Sequence, residues 1–221
     1  MTFSILARDE ETGAIGGAAA TGSLCVGGWV LRGHPAAGMS ASQGMAPSTF
    51  WGEDVLDMMA NGLSAKEAVR AVTEPDAGRA QRQLSALPLA GPGAAFTGDE
   101  NSSETGERLF EGGVAAGNLL TSPLVIDALT DGFLSATGSF PRRLLAGLNA
   151  AQEEGGDSRG LMSAAILVLS PSHAPLTLRI DYANDPLAAL ADLLERAMTG
   201  HYADWARQVP CFDDPERTYA G

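Results

Sequence analysis

The sequence predicts an α+β fold in which two sheets lie face to face with helices on their outer sides. Three observations lead there. Segments of strand character come in runs, and segments of helical period come in pairs between them, an order that favours layers of sheet and helix over alternating βα units. The 221 residues, 45% of them hydrophobic, suffice for the core of one domain, so 1–221 is expected to be a single unit with no second domain. The second strand segment, "AIGGAAATG", has little side-chain volume and allows close approach of other backbone or a ligand, which places its partner Thr2–Arg8 inside a sheet rather than at an edge.

The elements follow in order. Thr2–Arg8 is compact and β-prone, the acid-rich "DEETG" at 9–13 ends in a glycine suited to a tight turn, and "AIGGAAATG" returns as the second strand of a hairpin. "CVGGWVL" and "AAGMSASQG" read as another glycine-punctuated strand pair. Then the period changes. In "WGEDVLDMMANGLSAKEAVRAV" the apolar residues Val55, Leu56, Met58 and Met59 fall near i, i+3, i+4 spacing; Asn61-Gly62 stops that helix, and Ser64 with Glu67 starts a second as a capping box. "RQLSALPLA" and "GPGAAFTG" form a further strand pair, "GDENSSETG" (98–106) a mobile polar loop, and "GERLFEGGVAAGN" a strand region. A helix begins at Ser122 with Pro123 in its first turn, and "FPRRLLAGLNAAQEEGG" is a helix ended by glycines. Strands "SAAILVLS" and "LTLRIDYA" precede one last helix, "DPLAALADLLERAMTGHYADW". The two pairs, 53–72 and 122–152, are expected on the outer layers.

Composition removes several function classes. A formal net charge of −13 repels polyanions, so neither nucleic acid nor an anionic membrane surface is expected as a partner. Lys66 is the only lysine among 14 basic residues, a poor prospect for a lysine base. Cys25 and Cys211 belong to no CxxC pair, and His34, His173 and His201 show no ligand spacing, so no metal site is suggested. No apolar run approaches the roughly 20 residues of a membrane span, and no basic-then-apolar leader opens the chain; the expectation is a soluble cytoplasmic protein. "GGAAATGSLCVGG" is not a dinucleotide fingerprint, and "GMSASQG" misses the serine-elbow pattern at its fifth position.

Two features carry chemistry. Methionine is usually trimmed before a small residue, and trimming here leaves Thr2 with a free α-amine beside its own hydroxyl, a base and a nucleophile in one residue. The loop "GGDSRG" (155–160) sets Asp157, Ser158 and Arg159 together at the entrance to a buried strand, although Gly155 and Gly156 are explained equally well as a helix stop and turn.

The stretches "TFSILARDEETGAIG", Arg82-Gln83, "AAFTG" at 94–98, Gly117-Asn118 and above all "RRLLAGLNAAQEEGGDSRGLMSAAILV" resemble the family called domain of unknown function (DUF) 1028, grouped with the N-terminal nucleophile (Ntn) hydrolases. The resemblance runs from residue 2 to about 195, leaving a C-terminal helix and tail at 196–221. It implies a four-layer αββα sandwich, Ntn-hydrolase-like, and an amidohydrolase acting on a small or peptide-like amide with no cofactor. On that reading Thr2 is the nucleophile after Met1 removal, Asp157 orients its amine and Asn118 assists. Backbone N–H groups around Ser42, Gln43 and Gly44 form an oxyanion hole, and Thr21, His34, Ser158 and Arg159 complete the substrate-binding set. Against proteasome-like enzymes the chain lacks the acid expected near Ala20 or Thr21 and the lysine expected near Arg32 or His34. A non-catalytic ligand-binding or interaction protein, and a hydrolase using Ser40 or Ser42, stay open as alternatives, as does a homo-oligomer.

Overall fold

The computed structural model describes residues 2–101 and 104–219. The expectation that Met1 is removed, and the centre of the 98–106 loop, lie outside the described residues. Strand β1 (Thr2–Asp9) pairs antiparallel with β2 (Ala14–Thr21), from Thr2↔Thr21 to Asp9↔Ala14, around a turn closed by Gly13 at φ +70°. The "CVGGWVL" segment departs from expectation. It forms one helical turn, α1 (Val26–Trp29), before strands β3 (Leu31–His34) and β4 (Gly38–Gly44). The glycines let this turn press down on the sheet: a Cβ on Gly27 would lie 2.7 Å from both Ala165 Cβ and Arg179 Cγ.

Helices α2 (Thr49–Ala60) and α3 (Ala65–Thr73) meet at the expected break, where the Ser64–Glu67 capping box is formed in both directions. Next come β5 (Arg82–Pro88), β6 (Ala94–Thr97), β7 (Thr105–Phe110) and β8 (Gly113–Asn118), the last two resolving the single predicted strand region into a hairpin. Helix α4 (Leu124–Ser135) starts two residues later than expected, with the Ser122 hydroxyl accepting the Leu124 N–H at 3.0 Å. It is followed by α5 (Phe140–Glu153), β9 (Ser163–Leu169) and β10 (Leu176–Ile180). The one final helix is in fact two, α6 (Pro186–Met198) and α7 (Gly200–Ala206), because Thr199 is extended and Gly200 takes φ +65°.

The strands form two antiparallel sheets, one of order β10-β9-β2-β1-β8-β7 and one of order β3-β4-β5-β6. β1 is interior, between β2 and β8. Helices α4, α5 and α6 cover the outer face of the six-stranded sheet, α2 and α3 cover that of the four-stranded sheet, and the inner faces pack β1, β2 and β8 against β4 and β5. Strand periodicity sorts the side chains between these layers. Phe3, Ile5 and Ala7 point to the helices with Leu129, Phe133 and Leu144, whereas Leu6 points between the sheets with Met39, Leu87 and Val114. Trp51, Val55 and Val69 close a third layer on Leu84 and Ala86. Among the described residues no helix is long and apolar enough to cross a membrane.

Candidate functional site

Residues directly opposite one another in an antiparallel pair share a face, so register alone builds the site. Thr2 pairs with Thr21 on one side and Asn118 on the other; Ser163 continues the row beyond Thr21, and Thr105 beyond Asn118. Because Phe3 faces the helices, this polar row faces the other sheet. The Thr2 hydroxyl donates to Thr21 Oγ1 at 3.1 Å. Thr2 is 8% exposed, and its exposed part lines a cavity of about 330 Å³ whose walls include Leu24, Trp29, Gly44, Met45, Leu119 and Arg159.

Behind the row the inter-sheet layer turns polar. Ser4 Oγ donates to Gln43 Oε1 at 2.8 Å, and Gln43 Nε2 reaches Gln83 Oε1 at 2.7 Å, Ala116 O at 3.2 Å and Thr2 O at 3.3 Å. Gln83 Nε2 then donates to Gly117 O at 3.0 Å and to Thr97 Oγ1 at 2.8 Å, whose hydroxyl donates to the exposed Glu107 carboxylate at 2.9 Å. Burying amides is costly unless they are partnered, and these are. The chain of bonds ties the backbone of β1 and β8 to β4 and β5, fixing the two sheets in one lateral position at the Thr2 end.

Asp157 enters this end through β2. Its carboxylate accepts the N–H of Gly22, the residue after Thr21, and is held in place by Arg159, which donates from its backbone N–H at 2.8 Å and from Nε and Nη2 at 3.2 Å each. A Cβ on Gly22 would lie 2.7 Å from Asp157 Oδ2 and 2.4 Å from Gly160 O, so only glycine allows this approach. Asp157 therefore bears on Thr2 through the Thr21–Gly22 turn. Ser158 is exposed beside it.

The remaining predicted residues separate. Strand alternation turns Ser40 and Ser42 toward α2, where their hydroxyls donate to Gly52 O at 2.8 Å and Ser48 O at 2.6 Å; the Ser42 N–H donates to Val30 O at 3.1 Å. Neither serine faces the cavity, and the Ser42 N–H is engaged in the sheet. Gln43 serves the inter-sheet network, and of the three predicted residues it and Gly44 line the cavity. His34 is displaced altogether: it pairs with Gly38, six residues from Gly44 along β4, about 20 Å at the strand rise of ~3.3 Å per residue.

Asn118 is fully buried, and its Nδ2 donates to Asn101 Oδ1 at 3.4 Å, an oxygen that also accepts the Met45 N–H at 3.0 Å. Asn118 Oδ1 and Asn101 Nδ2 are buried without a partner. Asn101 and the cavity residues Trp29 and Met45 carry no motif in the sequence, and Ser4 and Gln83 enter there only within the family pattern; a glutamine at an inward position of "RQLSALP" is the signal that marks Gln83. Cys25 and Leu119, at φ +61° and +58°, are the non-glycine residues with positive φ among those described, and both adjoin the cavity walls.

Two larger hollows, of about 650 and 540 Å³, open at the opposite, Asp9 end of β1. The second includes Ser170 and His173, in contact at 3.4 Å on an exposed turn where water competes for both groups. No cluster of three or more His, Cys, Asp or Glu able to hold a metal ion occurs among the described residues.

Comparison with known proteins places the chain. It matches no curated protein. It is 57% identical to protein SPO2555 from Silicibacter pomeroyi, whose crystal structure is assigned to DUF1028; the match covers 100% of this chain and 96% of that one, with a TM-score of 0.96. The family of unknown function DUF1028 matches residues 2–190. By that match, and by a relative of the same family that spans its whole length, the protein belongs to the DUF1028 family.

Proposed function

We propose that the protein is an amidohydrolase of the N-terminal nucleophile type, with Thr2 as nucleophile once Met1 is removed, acting on a small or peptide-like amide. The observation that carries this reading is the position of Thr2: at the tip of an interior strand, hydroxyl against Thr21, on the wall of a cavity. Helix, sheet, sheet and helix layers with the residue between the sheets support the Ntn assignment. In the reaction the α-amine, with a reference pKa near 7.7–8.0, takes the Thr2 hydroxyl proton as Oγ1 bonds to the amide carbon. The C–N bond then breaks, the departing amine takes that proton, and water hydrolyses the resulting ester to release the acid and restore the hydroxyl. Thr21 orients the nucleophile, Asp157 holds the turn behind Thr21, and Gly44, on the wall of the same cavity, supplies the oxyanion donor.

A second reading, a binding protein on the same fold, is favoured by one observation: the Asp157 carboxylate is engaged by Gly22 and Arg159, and no acid or histidine lines the cavity among the described residues, so the base is left to an amine that exists solely in a chain beginning at Thr2. One experiment separates the two. Protein verified by intact mass to begin at Thr2 is treated with an electrophilic acylating probe. A single adduct on residue 2, lost in Thr2→Ala and retained in part by Thr2→Ser, is expected; absence of any adduct favours the binding protein, and labelling at Ser40 or Ser42 would return the serine alternative.

A further inference from the structure

We infer that the substrate presents a small, uncharged, apolar acyl group to the Thr2 cavity; this rests on the amidohydrolase reading. The argument starts from what the walls offer. One wall is the chain from Leu24 through the turn of α1, the other the segment after β4. Leu24, Trp29 and Met45 line the cavity yet remain 54%, 52% and 58% exposed, apolar surface that a ligand of like character covers. The amide and charged side chains on the same walls are already engaged, and Ser23, exposed beside Leu24, adds an uncharged hydroxyl. The Gln43 amide is held by Ser4, Gln83 and strand carbonyls, and the Arg159 guanidinium is matched by Asp157, whose side chain is fully buried beneath it. A carboxylate on the acyl group therefore loses water against Leu24, Trp29 and Met45 and meets a cation whose charge is already balanced. At about 330 Å³ the cavity sits at the lower end of the ligand-pocket range of roughly 300–1,000 Å³ and is about twice the ~150 Å³ hole that takes benzene, which suits an acyl group of modest size.

The selectivity expected is calculable. Burying one methylene improves transfer from water by about 0.8 kcal/mol, which is about fourfold. An acyl chain two methylenes longer than acetyl therefore gains roughly fifteenfold.

The test uses protein that begins at Thr2 and three p-nitrophenyl esters: acetate, butyrate and hemisuccinate. In each, the Thr2 Oγ1–C bond forms, the bond to p-nitrophenolate breaks, and the hydroxyl proton leaves through the α-amine. Release of p-nitrophenolate gives the rate, and intact mass locates the acyl group. Butyrate should acylate Thr2 roughly fifteenfold faster than acetate and at least tenfold faster than hemisuccinate. In a Trp29→Ser/Met45→Ser variant the butyrate-to-acetate ratio should fall toward one; both side chains are more than half exposed, so the fold accommodates the change. Hemisuccinate reacting as fast as butyrate, or a ratio unchanged in the variant, overturns the inference while leaving Thr2 as nucleophile. Failure of all three esters to acylate Thr2 sinks the amidohydrolase reading and this inference with it.

Discussion

Replacing Gln43 with leucine removes the centre of the inter-sheet network while keeping the side chain close in size. Besides the Ala116 and Thr2 carbonyls, two buried side-chain groups lose their partner in this network: Ser4 Oγ, which donates to Gln43 Oε1 at 2.8 Å, and Gln83 Oε1, which accepts from Gln43 Nε2 at 2.7 Å. Both residues are at most 1% exposed, so water does not replace the loss. Stranding a buried polar group costs about 1–3 kcal/mol, and two such groups cost about 2–6 kcal/mol. That is a large share of the 5–15 kcal/mol typical of a folded domain and, at about 2–4 °C per kcal/mol for a chain of this length, corresponds to a fall in Tm of roughly 4–24 °C. Urea unfolding of wild type, Gln43→Leu and Gln43→Leu/Ser4→Ala measures it. In the double variant the stranded hydroxyl is gone, so about 1–3 kcal/mol should return relative to Gln43→Leu alone. A loss below about 1 kcal/mol in the single variant, or a double variant no more stable than the single, would refute the view that this network fixes the two sheets.

Asp157→Ala strands the Gly22 N–H and should destabilise by about 1–3 kcal/mol in the same assay, with Asp157→Asn milder because an oxygen acceptor remains; equal behaviour of the two would show that the carboxylate does not hold the turn. The Glu67 carboxyl is held below its ordinary pKa, chiefly by the Ser64 hydroxyl and then by the Ser64 N–H. A depressed folded pKa gives stability that is present above the unfolded value near 4.5 and disappears as pH falls through the folded value. The stability gap between wild type and Glu67→Ala should therefore narrow on acidification below pH 4.5, and a gap constant down to about pH 3 would contradict the sign.

Features set by neighbouring residues were legible in the sequence. The Ser64–Glu67 capping box and the β1–β2 hairpin each depend on a few adjacent positions, and once the hairpin register is known, Thr2 beside Thr21 follows. The pairing of Thr2 with Asn118 depends on chain far away, and the sequence names both residues without bringing them together. The α1 turn was missed because two glycines argue against helix; what forms it is the space over Ala165 and Arg179. The break at Thr199–Gly200 was missed because the apolar period continues across it. Ser42, Gln43 and Gly44 were read as an oxyanion turn, but "GMSASQG" is a strand, and alternation sends Ser42 to α2 and Gln43 to the other sheet. His34 fell at the wrong end because composition does not say which way a strand runs.

The position of β1 has a consequence for how such a protein can change. Thr2 and Thr21 lie on β1, between β2 and β8, and on β2, between β1 and β9, strands whose amide hydrogens exchange with solvent only when the sheet itself opens. The exposed side chains that shape the cavity, Leu24, Trp29 and Met45, sit outside those ladders and can change at little thermodynamic risk. Variation accumulating there alters what is admitted while the hydroxyl stays where it is, so members of one lineage can diverge in ligand without rebuilding the centre.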